Sequence, residues 1–381
     1  MNVEVDRLPE VAPLRKPALQ IPQRFFSLDA VRGLAALSVI FWHWQHFFYH
    51  GIEAAEYDRT AQPFYPLFFV FYNKGWIAVD FFFSLSGFIF FWLYSERVAA
   101  RDISGRNFAL LRFSRLYPLH LLALGVVLVG QSVIYHRTGQ FFVYPFNDVY
   151  HFILNLLFAS SWGFERGFSF NAPTSSVSIE ILIYALFFIL CLKGGARPWM
   201  LAPLVLAGLI LLRFQPLLGR GLFSFFLGGL VFYTYAAMVK AGWVERWVGP
   251  FAWVMIAGWV VALLEGRFDL IPLGRKSAAL AITGVLFPMT ILALALIETK
   301  RGHLGERLSP LGDISYSLYL LHFPLQLTFM IAIGSIGWSP SFFYTKTSML
   351  VFFTILIGLC TLSYRFLERP AQRILRDKFM A

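Results

Sequence analysis

Long apolar runs, broken by short basic connections, decide what this chain can become. They recur at about residues 31–50, 67–94, 116–135, 177–192, 199–213, 220–238, 248–264, 278–298, 314–333 and 347–364. A hydrocarbon core about 30 Å thick takes about 20 apolar helical residues to cross. The chain is 58% hydrophobic and 14% charged, against about 25% charged in a soluble domain. A water-facing core cannot absorb so much apolar sequence. The expected fold class is therefore all-α: a polytopic membrane protein of about ten transmembrane helices. A further run at about 149–163 is shorter and is expected as a re-entrant or interfacial outer segment.

Charge sets the expected orientation. Arg97, Arg101, Arg106, Arg112 and Arg115 fall in one connection, Lys193 and Arg197 in a second, and Lys300, Arg301 and Arg307 in a third. Basic connections stay on the cytoplasmic side, while the acidic stretch 51–66 belongs outside. Parity then keeps 136–176 on the outer side and puts both termini in the cytoplasm. The expected layout is a tail at 1–24, a membrane domain at 25–370 and a second tail at 371–381. The stretches Arg213–Arg220 and Arg267–Lys276 fit this scheme poorly. Residues 1–24 show no small-residue cleavage pattern, so no signal peptide is expected. The net charge of +11 is spread over connections rather than gathered on a soluble module, which argues against nucleic acid as a partner. Cys191 and Cys360 lie at or inside apolar segments, giving neither a disulfide framework nor a metal spacing; no metal is expected.

Five clusters carry chemistry. Arg32 and His43 stand eleven residues apart, three turns plus about 20°, hence on one helix face with a rise of about 16 Å. An ionisable group at that depth is a candidate functional residue; the bland reading is a histidine hydrogen-bonded within a bundle. In DFFFSLSGF, residues 80–88, Ser84, Ser86 and Gly87 permit close helix approach, and Asp80 needs a basic or hydroxyl partner. Arg112 and Arg115 are i, i+3 neighbours whose forks match phosphate oxygens; the alternative is a topological and headgroup role. Ser176, Glu180 and Tyr184 recur every four residues on one face, with helix capping by Ser175 or Ser176 as the alternative. Tyr319 and His322 precede Pro324, which frees a carbonyl near Leu320 that must find a new partner. Tyr316 reads as an interhelical hydrogen bond at that kink.

In order, these elements resemble the bacterial integral-membrane acyltransferases of the acyltransferase-three type, over about residues 25–370. That family's basic residue, ten positions, then histidine stands as Arg32 and His43. Its Phe-x-x-Ser-Gly-Phe looks like the run Phe83 to Phe88, its Arg-x-x-Arg like Arg112 and Arg115, and its Ser-x-Glu like Ser178 and Glu180. Its Tyr-x-x-His-x-Pro is similar to Tyr319, His322 and Pro324, and its late Glu-x-Pro to Glu368 and Pro370. Two positions depart: Ser175 stands where the family usually has Trp, and Val177 where it has Leu. Many members also carry a fused extracellular SGNH-type esterase domain; any second transferase is expected here as a separate protein.

The resemblance implies an O-acyltransferase, an O-acetyltransferase above all, working in the bacterial inner membrane. Acetyl-CoA is the implied acyl donor, and the implied acceptor is a glycan hydroxyl of a lipid-linked or polymeric exopolysaccharide or lipopolysaccharide. Arg32, Arg112 and Arg115 would bind the donor phosphates. His43 would be the general base, with Glu180 supporting it and His322 as a further catalytic candidate. Asp80, Ser86, Ser178, Tyr184 and Tyr319 are the candidate substrate-binding residues, and membrane lipids are further partners. Competing readings are a glycolipid transporter or flippase, and an acyltransferase acting on a macrolide or Nod factor.

Overall fold

The computed structural model describes residues 21–54, 57–194, 197–268 and 274–379. Most of the expected N-terminal tail, with Arg7, Arg15 and Lys16, lies outside the described residues, as does part of the connection at 267–276. The architecture is all-helical apart from one antiparallel pair of two-residue strands, β1 (Tyr49–His50) and β2 (Glu53–Ala54).

In chain order the helices are α1 (Phe26–His43), α2 (Tyr65–Lys74), α3 (Ala78–Ala99), α4 (Gly105–Thr138), α5 (Val149–Leu156), α6 (Ser175–Leu192), α7 (Pro198–Leu211) and α8 (Pro216–Lys240). There follow α9 (Val244–Phe268), α10 (Arg275–Ala281), α11 (Phe287–Arg301), α12 (Ser309–Asp313), α13 (Ser315–Ser335), α14 (Lys346–Ser363) and α15 (Arg369–Phe379). Wider turns at Ile282–Leu286 and Tyr364–Glu368 join α10 to α11 and α14 to α15. Among the described residues eight helical stretches are long and apolar enough to cross a membrane, α2 and α3 counting as one. With α1 and the shorter apolar α7, they account for the ten runs read from the sequence. The 149–163 run yields only α5, eight residues long and about 12 Å, too short to cross.

Local chemistry explains the boundaries. Ser104 starts α4 by accepting the Asn107 backbone N–H at 3.2 Å, an N-cap that satisfies one of the helix's orphan donors. Gly139 stops it in the left-handed region at φ 74°, where a side chain would be strained. The first helix departs from expectation: it begins at Phe26, before the apolar run proper, and gives way at Trp44 to a tighter 3-10 turn, Trp44–Phe48. Arg32 therefore sits within the helix rather than at its edge, and His43 is its last α-helical residue.

The core is built on the contact of α3 with α8. A carbon added at Gly87 would lie 1.9 Å from the Phe225 carbonyl oxygen, and one at Gly228 would lie 1.9 Å from that of Ser84. These backbones touch, as the small residues of the second run led one to expect. Phe25 sets its ring against Phe88 and Trp92, while the Gly75 position abuts the Ser38 carbonyl, so α1 runs antiparallel to α3. Arg32 bonds Ser315 and His43 bonds His322, so α13 runs parallel to α1. By contrast α9 exposes Trp253, Val254 and Val261, a face that belongs against acyl chains.

Residues 139–174 form a knitted cap. Gln131 holds Phe142 at both its N–H and its carbonyl, and Asn147 takes the Phe170 N–H. Asp148 caps α5 and pairs with His151 at 2.8 Å. The His151 backbone N–H, followed by its imidazole, holds the Asp148 carboxyl below its usual range despite the opposing pull of desolvation.

Candidate active site

The helix that carries Arg32 and His43 is fixed at both ends by residues from other helices. Its N-cap, Phe25, offers no capping side chain. Instead the buried Glu298 of α11 accepts the Phe26 N–H at 2.7 Å, the Ser27 N–H at 3.0 Å and the Ser27 hydroxyl at 2.5 Å. A carboxylate there also answers the positive end of the helix dipole. At the other end the Gln326 amide donates to the His43 carbonyl at 2.8 Å.

Between α1, α3, α4, α6 and α13 lies a cavity of about 130 Å³. Its charged wall is Arg32, Arg112 and Arg115; its polar wall is Ser86, Ser176, Glu180, Tyr184, Tyr316 and Tyr319. The i, i+4 spacing of Ser176, Glu180 and Tyr184 does bring all three to one surface. Arg32 is held by Asp29 at 3.0 Å, the Gly312 carbonyl at 2.7 Å and Ser315 at 3.0 Å. Arg112 donates to the Tyr94 hydroxyl at 2.6 Å and lies over the Phe90 and Tyr94 rings, while its buried Nε has no partner. Arg115 makes no hydrogen bond or ion pair among the described residues, so its fork is uncommitted. A second cavity, about 200 Å³ and walled by Arg24, Asp29 and Trp92, shares Arg32 and Ile89 with the first. Neither reaches the roughly 300–1,000 Å³ of a pocket that encloses a whole small molecule; the pair suits an extended ligand threaded past Arg32.

The far end of the cavity is closed by Tyr319. Its hydroxyl donates to the Pro173 carbonyl at 2.7 Å, so Ser176, 2.6 Å away, is the donor in their pair. Behind it stand the histidines. His322 Nδ1 lies 2.7 Å from the Tyr319 carbonyl, which only accepts, so that nitrogen carries the proton. His322 Nε2 must then accept, and His43 Nδ1–H donates to it at 2.9 Å. The chain leaves His43 Nε2 as the nitrogen with a free lone pair. The carbonyl freed beside it finds a partner: Asn171 donates to that of Leu320 at 2.9 Å, the group that Pro324 strips of its helical partner.

Several sequence-based assignments change. His43 takes His322 as its partner, whereas Glu180 accepts from Ser86 at 2.8 Å and from Tyr184; Glu180 faces α3 across the cavity rather than the histidines. Asp80 is off the cavity wall. It is bound by Arg220 through Nε and Nη2 at 2.7–3.1 Å, under the Trp76 carbonyl that takes Nη2 at 2.9 Å. Ser178 points away from the cavity, its Oγ accepting the Ser161 N–H and its carbonyl the Trp162 indole. Neither Ser175 nor Ser176 caps α6. A 3-10 turn, Ala172–Thr174, runs straight into the helix, so no residue there has the extended backbone a cap requires. Tyr316 donates to the Leu116 carbonyl at 2.6 Å and lines the cavity as well. Glu298, Gln326 and Arg220 were not singled out by spacing. A glutamine in an apolar run four residues beyond a histidine was the one usable signal, since a buried amide must be fully bonded.

A family model described as an acyltransferase domain matches residues 25–366. Over 380 residues, 92% of this chain and 92% of the relative, the chain is 26% identical to "Acyltransferase MdmB" of Streptomyces mycarofaciens. It is 35% identical to "Protein 2 in picA locus" of Rhizobium radiobacter over 106 residues, 28% of this chain and 45% of that relative's length. No solved structure matches the chain.

Proposed function

The chain belongs to the acyltransferase-three family, its residues 25–366 matching the family's domain, and from this we propose that it is an O-acetyltransferase carrying an acetyl group from coenzyme A to a glycan hydroxyl. One observation carries the reading: a cavity walled by three arginines runs to Tyr319, with the His322–His43 pair behind it. Arg115, with its uncommitted fork, and Arg112 suit the donor's phosphates. A thin pantetheine arm fits a narrow cavity better than a bulky acceptor does. Half-buried Tyr49, edge-on to His46 at the histidine end, is an aromatic surface that suits a sugar ring. The basic connections support a bacterial inner-membrane location with the arginine end and both termini toward the cytoplasm.

The acceptor O–H gives its proton to His43 Nε2 as its oxygen attacks the thioester carbonyl. The C–S bond then breaks, and the imidazolium returns the proton to the thiolate, leaving an ester and free coenzyme A. His322 fixes the tautomer by accepting from His43 Nδ1, in the manner of a base held by a third group. The carriage needs Tyr319 to yield, because its hydroxyl bonds close the path between donor and base.

Membranes bearing the protein are incubated with radiolabelled acetyl-CoA, and donor binding is measured alongside. His43→Ala and His43→Gln should both bind donor and lose transfer by about 10²–10⁴-fold. Arg115→Lys should weaken donor binding, since charge without the planar fork loses the paired contact. Substantial turnover by His43→Gln would refute the assignment of the base.

A further inference from the structure

We infer that Gln326 is a positioning residue that aims the His43 imidazole, acting jointly on His43 and His46. The inference deepens the proposed reading, since it presumes that His43 is the base. In a 3-10 turn the side chains at i and i+3 eclipse one another. The change from α to 3-10 winding at Trp44 therefore brings His46 over His43, the rings stacked with centroids 4.8 Å apart at 28°. Along its Nδ1 edge His43 meets the His322 ring nearly coplanar, centroids 4.9 Å apart at 11°, as their hydrogen bond requires. The base is thus held by one imidazole at its edge and covered by another on its face.

Gln326, completely buried, is the residue that bonds both members of this turn. Its Nε2 donates to the His43 carbonyl at 2.8 Å, and its Oε1 faces His46 Nδ1 at 3.2 Å. An amide oxygen only accepts, so His46 Nδ1 carries its proton. The His43 carbonyl stands where the winding changes. Pinning it fixes the angle at which His43 leaves the helix; fixing His46 prevents the neighbouring ring from sliding off. His46 is further hemmed by Tyr49, Tyr144 and Phe323, each edge-on at 5.6–5.9 Å. With both contacts made, His43 Nδ1 can meet only His322, and Nε2 is the nitrogen offered.

The test uses Gln326→Met, which keeps side-chain length and removes both hydrogen bonds, in the full-length protein in nanodiscs. Histidine ¹⁵N spectra report the tautomers directly and need no acceptor. The wild type should show His43 as a single tautomer protonated on Nδ1. Gln326→Met should show mixed tautomers, and acetyl transfer should fall about 10- to 100-fold with the donor KM unchanged. His46→Phe keeps a stacked ring but leaves Gln326 Oε1 without its partner; it should move both readouts the same way by less. A single Nδ1–H tautomer in Gln326→Met, with transfer within twofold of wild type, overturns the inference. Mixed tautomers in Gln326→Met together with no transfer by the wild type refute the proposed reaction instead, and leave the positioning of His43 standing.

Discussion

Replacing Arg220 should damage the protein more than replacing Asp80, although the two make one ion pair. The Asp80 side chain is 3% exposed and that of Arg220 22%. Among the described residues Arg220 is the one cation on Asp80, so Arg220→Ala strands a buried carboxylate; breaking a buried pair this way costs about 3–5 kcal/mol. Asp80→Ala leaves a guanidinium that still donates to the Trp76 carbonyl at 2.9 Å, lies over the Trp76 ring at 5.1 Å and is less buried than the carboxylate. Its loss is that of unmade charged hydrogen bonds, about 1–3 kcal/mol. At about 2–4 °C per kcal/mol for a soluble domain of 150–250 residues, Arg220→Ala should melt roughly 6–20 °C lower. The double variant Asp80→Leu, Arg220→Met removes both charges at similar volume and should recover most of the loss. Tryptophan fluorescence during thermal melting in one detergent measures all three, with acetyl transfer assayed on the same samples. Asp80→Ala melting below Arg220→Ala would refute the burial argument. A double variant that melts like wild type yet transfers nothing would return Asp80 to the substrate site.

Three further outcomes follow from contacts already described. Asn171→Ala leaves the Leu320 carbonyl unpaired at about 1–3 kcal/mol, and adding Pro324→Ala, which restores a backbone N–H, should recover part of the melting temperature. Gly87→Ala or Gly228→Ala should cost about 1–3 kcal/mol by overpacking, whereas Gly125→Ala, whose added carbon meets nothing within 4 Å, should be neutral or mildly stabilising in the same melt. Asp148 titrates below its unfolded value, so its contribution is present above the usual carboxylate pKa of about 3.9 and is lost as pH falls through the lower folded value; amide exchange across 148–151 should rise over that window, and Asp148→Asn should flatten the rise.

What the sequence revealed were features with a period. Arg32 to His43, the Ser176–Glu180–Tyr184 stripe and the carbonyl freed by Pro324 all follow from helix geometry acting within one turn or a few. What it hid were pairings between distant segments: His43 with His322, Glu298 with Ser27, Asp80 with Arg220, separated by 279, 271 and 140 residues. No spacing encodes which helix face meets which. The resemblance implies Glu180 beside His43, whereas in the structure Glu180 takes Ser86 and Tyr184 and His43 takes His322. Arg220 fits the charge scheme poorly for a related reason. It counts as a loop charge in the sequence, but it lies inside α8 with its charge balanced by Asp80, so it says nothing about sidedness.

The two clamps on α1 also bear on how the protein is made. The carboxylate that completes its first turn lies 272 residues further along the chain, and the amide that holds its last carbonyl 283 residues further. At about 5–20 residues per second, the helix emerges roughly 14–54 s before the first of these partners exists. During that interval its terminal N–H groups have no protein acceptor, a costly state within a bilayer. The segment that bears Arg32 and His43 is thus synthesised well before the residues that complete it and is among the last to be finished. A nascent chain arrested before Glu298 would hold an incomplete first helix however well its later spans had inserted. Completion of α1 is thereby tied to synthesis of the segments that carry Glu298 and Gln326.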